Sequence, residues 1–171
     1  YISNCEFLIF SLNTRFRIYS MENLEDIEVL FQNGNKLFEN QNYSEALKVY
    51  RKIKHEYSEA LPKNSKVELE ITIVKTLMKM YHNFVSNNIE ENTEILIEEI
   101  SRSINFINKI DPDNMDLQYI EIEFKILLEE FDTALKLLAE YSEKIGLTLD
   151  ILLLYVIIYN KKNNLAESEK Y

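Results

Sequence analysis

Glycine and proline are nearly missing from this chain, with two of each in 171 residues. So few turn formers leave little material for hairpins. A composition led by Leu, Ile, Glu, Lys and Asn favours helix instead, and the expected fold class is all-α. Gly34 and Gly146 stand far apart, so there is no glycine-rich loop to cradle a phosphate. The single cysteine, Cys5, excludes a disulfide within the chain and fits a reducing compartment, so the cytoplasm is the expected location. No apolar run approaches the ~20 residues needed to span a bilayer. His55 and His82 are the only histidines. Neither belongs to a His-Glu-x-x-His pattern, and Cys5 is distant from both in sequence. Glu98-Glu99 and Glu129-Glu130 are adjacent pairs whose side chains diverge on a helix, which suits a solvated face better than acid–base chemistry. Glu90, Glu91, Glu94, Glu98 and Glu99 lack the alternating ligands and central glycine of a calcium loop. The chain is therefore expected to be no enzyme and to use no cofactor or metal.

Positive charge is also short: 19 Lys and Arg stand against 29 Asp and Glu, a formal net charge of −10. That balance argues against non-specific nucleic-acid binding, where neutralised phosphates supply most of the affinity. The charge is unevenly spread. Eight basic residues lie between Lys48 and Lys79, whereas 90–143 holds fifteen acidic residues and four basic ones. Such asymmetry can orient a partner by complementary potential, or it can be the solvated faces of successive helices. The 18 asparagines fit a coding bias and are given no role.

The chain is organised around residues 34–50, which read as two helices joined by a tight turn. Leu30, Leu37 and Phe38 share one side of the first. Tyr43, Ala46, Leu47 and Tyr50 follow the i, i+3, i+4, i+7 spacing of the second. Asn42 is placed to cap that helix, with Glu45 as its capping-box partner. Gly34 and Ala46 are small enough to let the two backbones approach. Leu30, Gly34, Leu37, Tyr43, Ala46 and Tyr50 resemble the consensus of the tetratricopeptide repeat, a 34-residue helix-turn-helix. The wording Gly-Asn-Lys-Leu-Phe followed by Tyr-Ser-Glu-Ala-Leu is similar to first repeats of cytosolic co-chaperones.

In order, the chain is expected to hold an irregular lead segment over 1–20, with Met21 as a candidate natural start, and an α-solenoid over 21–171. Phe7-Leu8-Ile9-Phe10 also reads as a remnant of a signal peptide's apolar stretch, although no small-residue cleavage site follows. Helices are expected at 23–40, 43–59, 65–86, 93–110, 113–129 and 131–145, with a last pair from Thr148 or Asp150. Leu61-Pro62 breaks the chain before a cap at Asn64 or Ser65. Pro112 suits a first helical position, Gly146 a helix stop, and Asn164 with Glu167 a final capping box. Phe131 and Ala134 match Tyr43 and Ala46, and Leu165 and Ser168 match them again. The step from Phe131 to Leu165 is 34 residues, and that from Tyr43 to Phe131 is 88, two repeats plus 20. The resemblance thus implies a right-handed α-solenoid of about four repeats with an enlarged second repeat. The chain stops within the fourth, so the protein is expected to continue or to be covered there by a partner.

The resemblance also implies a groove lined by the first helix of each pair, binding an extended peptide or a partner helix. Its positions in repeat one are Glu28, Phe31, Gln32, Asn35, Phe38 and Glu39. In repeat two they are Thr72, Lys75, Thr76, Lys79, His82 and Asn83. Lys75, Lys79 and His82 lie at i, i+4 and i+7, a stripe able to hold an acidic peptide or terminal carboxylate, or simply solvated. Phe31, Asn35, Lys75, Lys79 and His82 are the candidate partner-binding residues. Of the co-chaperone family's five clamp positions only Asn35 matches; the others fall on Phe31, Thr76 and near Asp116 and Ile120. The expected function is a scaffold or adaptor subunit of a multiprotein assembly. The alternatives are a peptide-binding co-chaperone module attached to an absent catalytic domain, and self-association through the all-round apolar stretch 151–159.

Overall fold

The computed structural model describes residues 26–87, 89 and 92–168, and the described residues are helical with short connections. The expectations for the lead segment 1–20 and for a start at Met21 lie outside them. The helices are α1 (26–39), α2 (Tyr43–Glu56), α3 (Lys63–Ser86), α4 (Thr93–Ile110), α5 (Met115–Leu127), α6 (Phe131–Ile145) and α7 (Leu149–Ser168). The chain forms two compact units that divide within α3, one ending at Met80 and the other beginning at Tyr81.

In the first unit α1 and α2 are held together around Tyr50, which is fully buried. Gly34 faces its ring so closely that a Cβ there would lie 2.5 Å from Tyr50 Cε1. The Tyr50 hydroxyl donates to Asn35 Oδ1 at 2.8 Å, and the Phe31 ring sits 5.7 Å from that of Tyr50. Nearer the turn, Phe38 meets Tyr43 edge-on at 5.2 Å. Ala46, Leu47 and Ile53 complete the buried face of α2. α3 is buried round most of its circumference between Val67 and Leu77, where Leu69, Glu70, Ile71, Ile73, Val74 and Thr76 are buried as well.

In the second unit α4 packs on α5, α5 on α6 and α6 on α7. Ile122, Ile126, Phe131, Ala134, Leu138, Ile151, Leu154 and Ile158 form its core, with Tyr119 and Tyr141 packed against it. Asn108 donates to Glu121 at 2.7 Å between α4 and α5, and Lys144 donates to Gln118 at 2.9 Å between α6 and α5.

The turns before α2 and α6 share one hydrogen-bonding pattern. Gln41 and Glu129 both take φ of 60°. The N–H of Gln41 donates to Phe38 O and that of Asn42 to Leu37 O; likewise Glu129 donates to Ile126 O and Glu130 to Lys125 O. This is a Schellman closure, with its left-handed residue filled by a non-glycine in both copies. Ala46 and Ala134 then donate to Asn42 O and Glu130 O, and both alanines are fully buried. Lys125 and Glu130 bridge the second turn at 2.8 Å.

Several local expectations are corrected. Asn42 stands at the N-cap of α2, but its side chain makes no capping bond; Glu45 pairs with Lys48 at 2.6 Å instead of reaching back. The Schellman closure already uses the Asn42 N–H that a capping box would need. α2 ends at Glu56 rather than 59. α3 begins at Lys63, with Pro62 O accepting from Lys66 N–H, so Asn64 and Ser65 lie inside its first turn rather than capping it. Pro112 precedes α5 in a turn. Asn114 is the cap, its Oδ1 accepting from Leu117 N–H at 2.9 Å, because an Asn side chain satisfies an orphan donor that proline cannot. At Gly146 α6 ends with φ of 84°. Among the described residues no helix starts after Asn164: α7 continues through it to Ser168. The turn repeated at Tyr43 and Phe131 is therefore not repeated at Leu165.

Candidate functional site

The first unit carries an open cleft of about 410 Å3 between α1, the end of α2 and the start of α3. Its floor is apolar: Ile27, Ile53, Leu61 and Leu69 line it, and each is buried. The break at Leu61-Pro62 matters here, because it ends one helix pair and leaves the Leu61 side chain beside α1. Phe31 forms a half-buried wall whose ring is fixed by Tyr50. The rim is polar, with Glu28, Gln32, Ser65 and Glu68. Gln32 Nε2 donates to Glu28 at 3.3 Å. Among the described residues neither Glu28 nor Glu68 has a cationic partner.

Behind the cleft, α2 and α3 are joined by an ion pair between a half-exposed lysine and a buried glutamate. Lys54 Nζ reaches Glu70 Oε1 at 2.5 Å, and the Glu70 side chain is 3% exposed. Glu70 Oε2 is buried with no hydrogen-bond partner among the described residues. Such a carboxylate depends on its one cation, since a buried charge left unpaired is strongly destabilising. Burial of the Tyr50 hydroxyl, reinforced by the charge of Glu39, pushes its pKa up to about 12.

The candidate partner-binding residues separate into groups. Phe31 and Asn35 meet around Tyr50; Phe31 also lines the cleft, whereas the Asn35 side-chain oxygen is already engaged. Lys75 and Lys79 are exposed one turn apart on α3. No hydrogen bond, ion pair or ring contact among the described residues links them to Phe31 or Asn35. Thr76, expected at a groove position, is fully buried, and its hydroxyl donates to Thr72 O at 2.7 Å. His82 is exposed in the second unit, its Nδ1 3.3 Å from Ser86 Oγ. It lines a recess of about 330 Å3 with Tyr81, Ser86, Leu128, Glu129 and Lys161, where charges of both signs set no single demand on a ligand. In the same unit the Tyr119 and Tyr141 rings lie 6.0 Å apart. Burial, then neighbouring carboxylates, raises both hydroxyl pKa values.

The outward side of α7 is a second apolar surface. Ile151, Leu154 and Ile158 face the core, while Leu152, Leu153, Val156, Ile157 and Tyr159 are exposed. No charged residue interrupts 151–160. No group of His, Cys, Asp and Glu able to hold a metal occurs among the described residues, and no helix among them is long and apolar enough to cross a membrane. No protein-family model matches the chain, and none of the curated proteins matches it.

Sequence reasoning placed Glu28, Phe31 and Gln32 at groove positions, and all three line the cleft; it missed the opposite wall. Leu61 lies just before α3, and Ser65, Glu68 and Leu69 lie in its first turns; only the tertiary fold brings them beside α1 as one wall. The available signal was the pair Leu61-Pro62, a buried apolar residue placed at a chain break.

Proposed function

We propose that the protein is a non-enzymatic interaction scaffold of the tetratricopeptide type, a right-handed α-solenoid serving as a subunit or adaptor in a cytoplasmic multiprotein assembly. The observation that carries this reading is the recurrence of one helix-turn-helix closure at Gln41 and Glu129, 88 positions apart. The same buried positions follow each turn: Ala46 and Tyr50 in one case, Ala134 and Leu138 in the other. Gly34 against Tyr50 supplies the close helix approach that the repeat requires. Helix pairs of this kind expose long faces of side chains, and their chemistry lies in what those faces hold.

Affinity capture with the full chain from a native cell extract tests the reading, alongside Lys75→Glu/Lys79→Glu. Recovery of one stable assembly, indifferent to these exposed lysines, is expected of a scaffold. Recovery of a few partners lost in the variant would replace the scaffold with a reader of acidic peptides. Capture of nothing above background would remove both.

A second reading, self-association through α7, is favoured by the uncharged outward face from Leu152 to Tyr159. A C2 pairing needs only one self-complementary patch. Light scattering at twice the mass of the chain would support it, and monomeric mass across concentration would dismiss it.

A further inference from the structure

We infer that the cleft of the first unit is a docking site for a partner segment that presents a large apolar side chain beside a lysine or arginine. The inference rests on the scaffold reading and gives it a site and a ligand chemistry. The cleft's volume, about 410 Å3, lies within the range of about 300–1,000 Å3 typical of ligand clefts. Ile53 and Leu69 are 1% and 3% exposed, so the floor is set by core packing and does not need to be built when a partner arrives. Phe31 is pinned by the Tyr50 ring, which pre-forms the wall and lowers the ordering cost of binding.

The rim decides the sign of the partner. Glu28 and Glu68 flank the apolar floor, and among the described residues no cation answers either of them. Lys63 and Lys66 belong to the same end of α3 but do not line the cleft. A lysine or arginine meets both demands, because its hydrocarbon stem covers apolar surface while its head reaches a carboxylate. The amide of Gln32 and the hydroxyl of Ser65 offer polar contacts to the segment's backbone. An acidic segment would bring like charges together over the same floor. The cleft therefore selects against the acidic peptides that Lys75 and Lys79 would attract, and the two surfaces of this unit ask for opposite partners.

The test uses the full chain and fluorescence anisotropy with three labelled twelve-residue peptides. The first carries Leu and Phe one helical turn apart, flanked by lysines. In the second every lysine becomes glutamate, and in the third Leu and Phe become serine. Saturable binding of the first is expected, at least tenfold tighter than of the other two. Glu28→Lys/Glu68→Lys is expected to weaken the first peptide at least tenfold and to favour the second, with circular dichroism unchanged because both side chains are exposed. Gln32→Trp, which puts bulk into the mouth, is expected to weaken the first peptide independently of charge. Equal affinity for all three peptides, indifference to both variants, or no saturable binding overturns the inference. If the assembly is still captured from extract while the peptides fail, only this inference falls. If capture fails as well, the scaffold reading falls with it.

Discussion

Tyr50 is where three contacts meet: Gly34 under its ring, Asn35 on its hydroxyl and Phe31 at its face. Gly34→Ala gains about 1 kcal/mol of helix propensity. It also drives a methyl group into a ring that is hydrogen-bonded and fully buried, an overpacking cost of about 1–3 kcal/mol. The expected result is a net loss, seen as a lower urea midpoint with unchanged slope. The hydroxyl makes a separate prediction. Its pKa in the folded state, about 12, lies above the ordinary 10.0, so the native state favours the protonated form. That stabilisation is complete below pH 10 and is lost as pH rises through about 12. The gap corresponds to about 3 kcal/mol. Urea unfolding at pH 9, 11 and 12 should show the loss, and Tyr50→Phe should remove the share that belongs to this hydroxyl while leaving that of Tyr119 and Tyr141.

At the scale of the element, the two Schellman turns carry the same strain. Gln41 and Glu129 hold a left-handed backbone that costs an L-residue roughly 1–2 kcal/mol. Gln41→Gly and Glu129→Gly should therefore each stabilise, by about 0.5 kcal/mol once glycine's extra freedom in the unfolded chain is counted. Unequal signs in thermal melts would show that the turns are not equivalent. Between α2 and α3, Lys54→Met should cost about 3 kcal/mol by leaving Glu70 unpaired. Lys54→Met/Glu70→Leu should recover most of that loss, because a well-packed apolar pair replaces a buried ion pair at little cost. The elements were legible in unequal measure. The bounds of α4 and α6 follow from periodicity and from the breaks at Pro112 and Gly146, and both agree with the structure. The turns at Tyr43 and Phe131 could be read from an aromatic followed by a buried alanine. The continuity of α7 through Asn164 could not, because Asn and Glu at capping-box spacing are also tolerated inside a helix whose Ile151, Leu154 and Ile158 are already anchored on α6. The α1 side of the cleft was legible through Glu28, Phe31 and Gln32, but its other wall was not, since what α3 brings beside α1 is a tertiary fact that periodicity does not contain.

At the scale of the whole molecule, a chain of net charge −10 offers partners an acid-rimmed cleft, a pair of exposed lysines and an uncharged helix face. Salt separates these surfaces. Contacts made by Glu28 and Glu68, or by Lys75 and Lys79, weaken as ionic strength rises, whereas contacts made by Leu152, Leu153 and Val156 do not. Val156→Glu should leave the cleft's peptide affinity unchanged and should hold the chain at monomeric mass in light scattering. The outward face of α7 also has a thermal consequence. Burial of apolar surface near room temperature is driven by entropy and carries a negative heat capacity change. Chains joined along α7 would therefore come apart in the cold and gather on gentle warming.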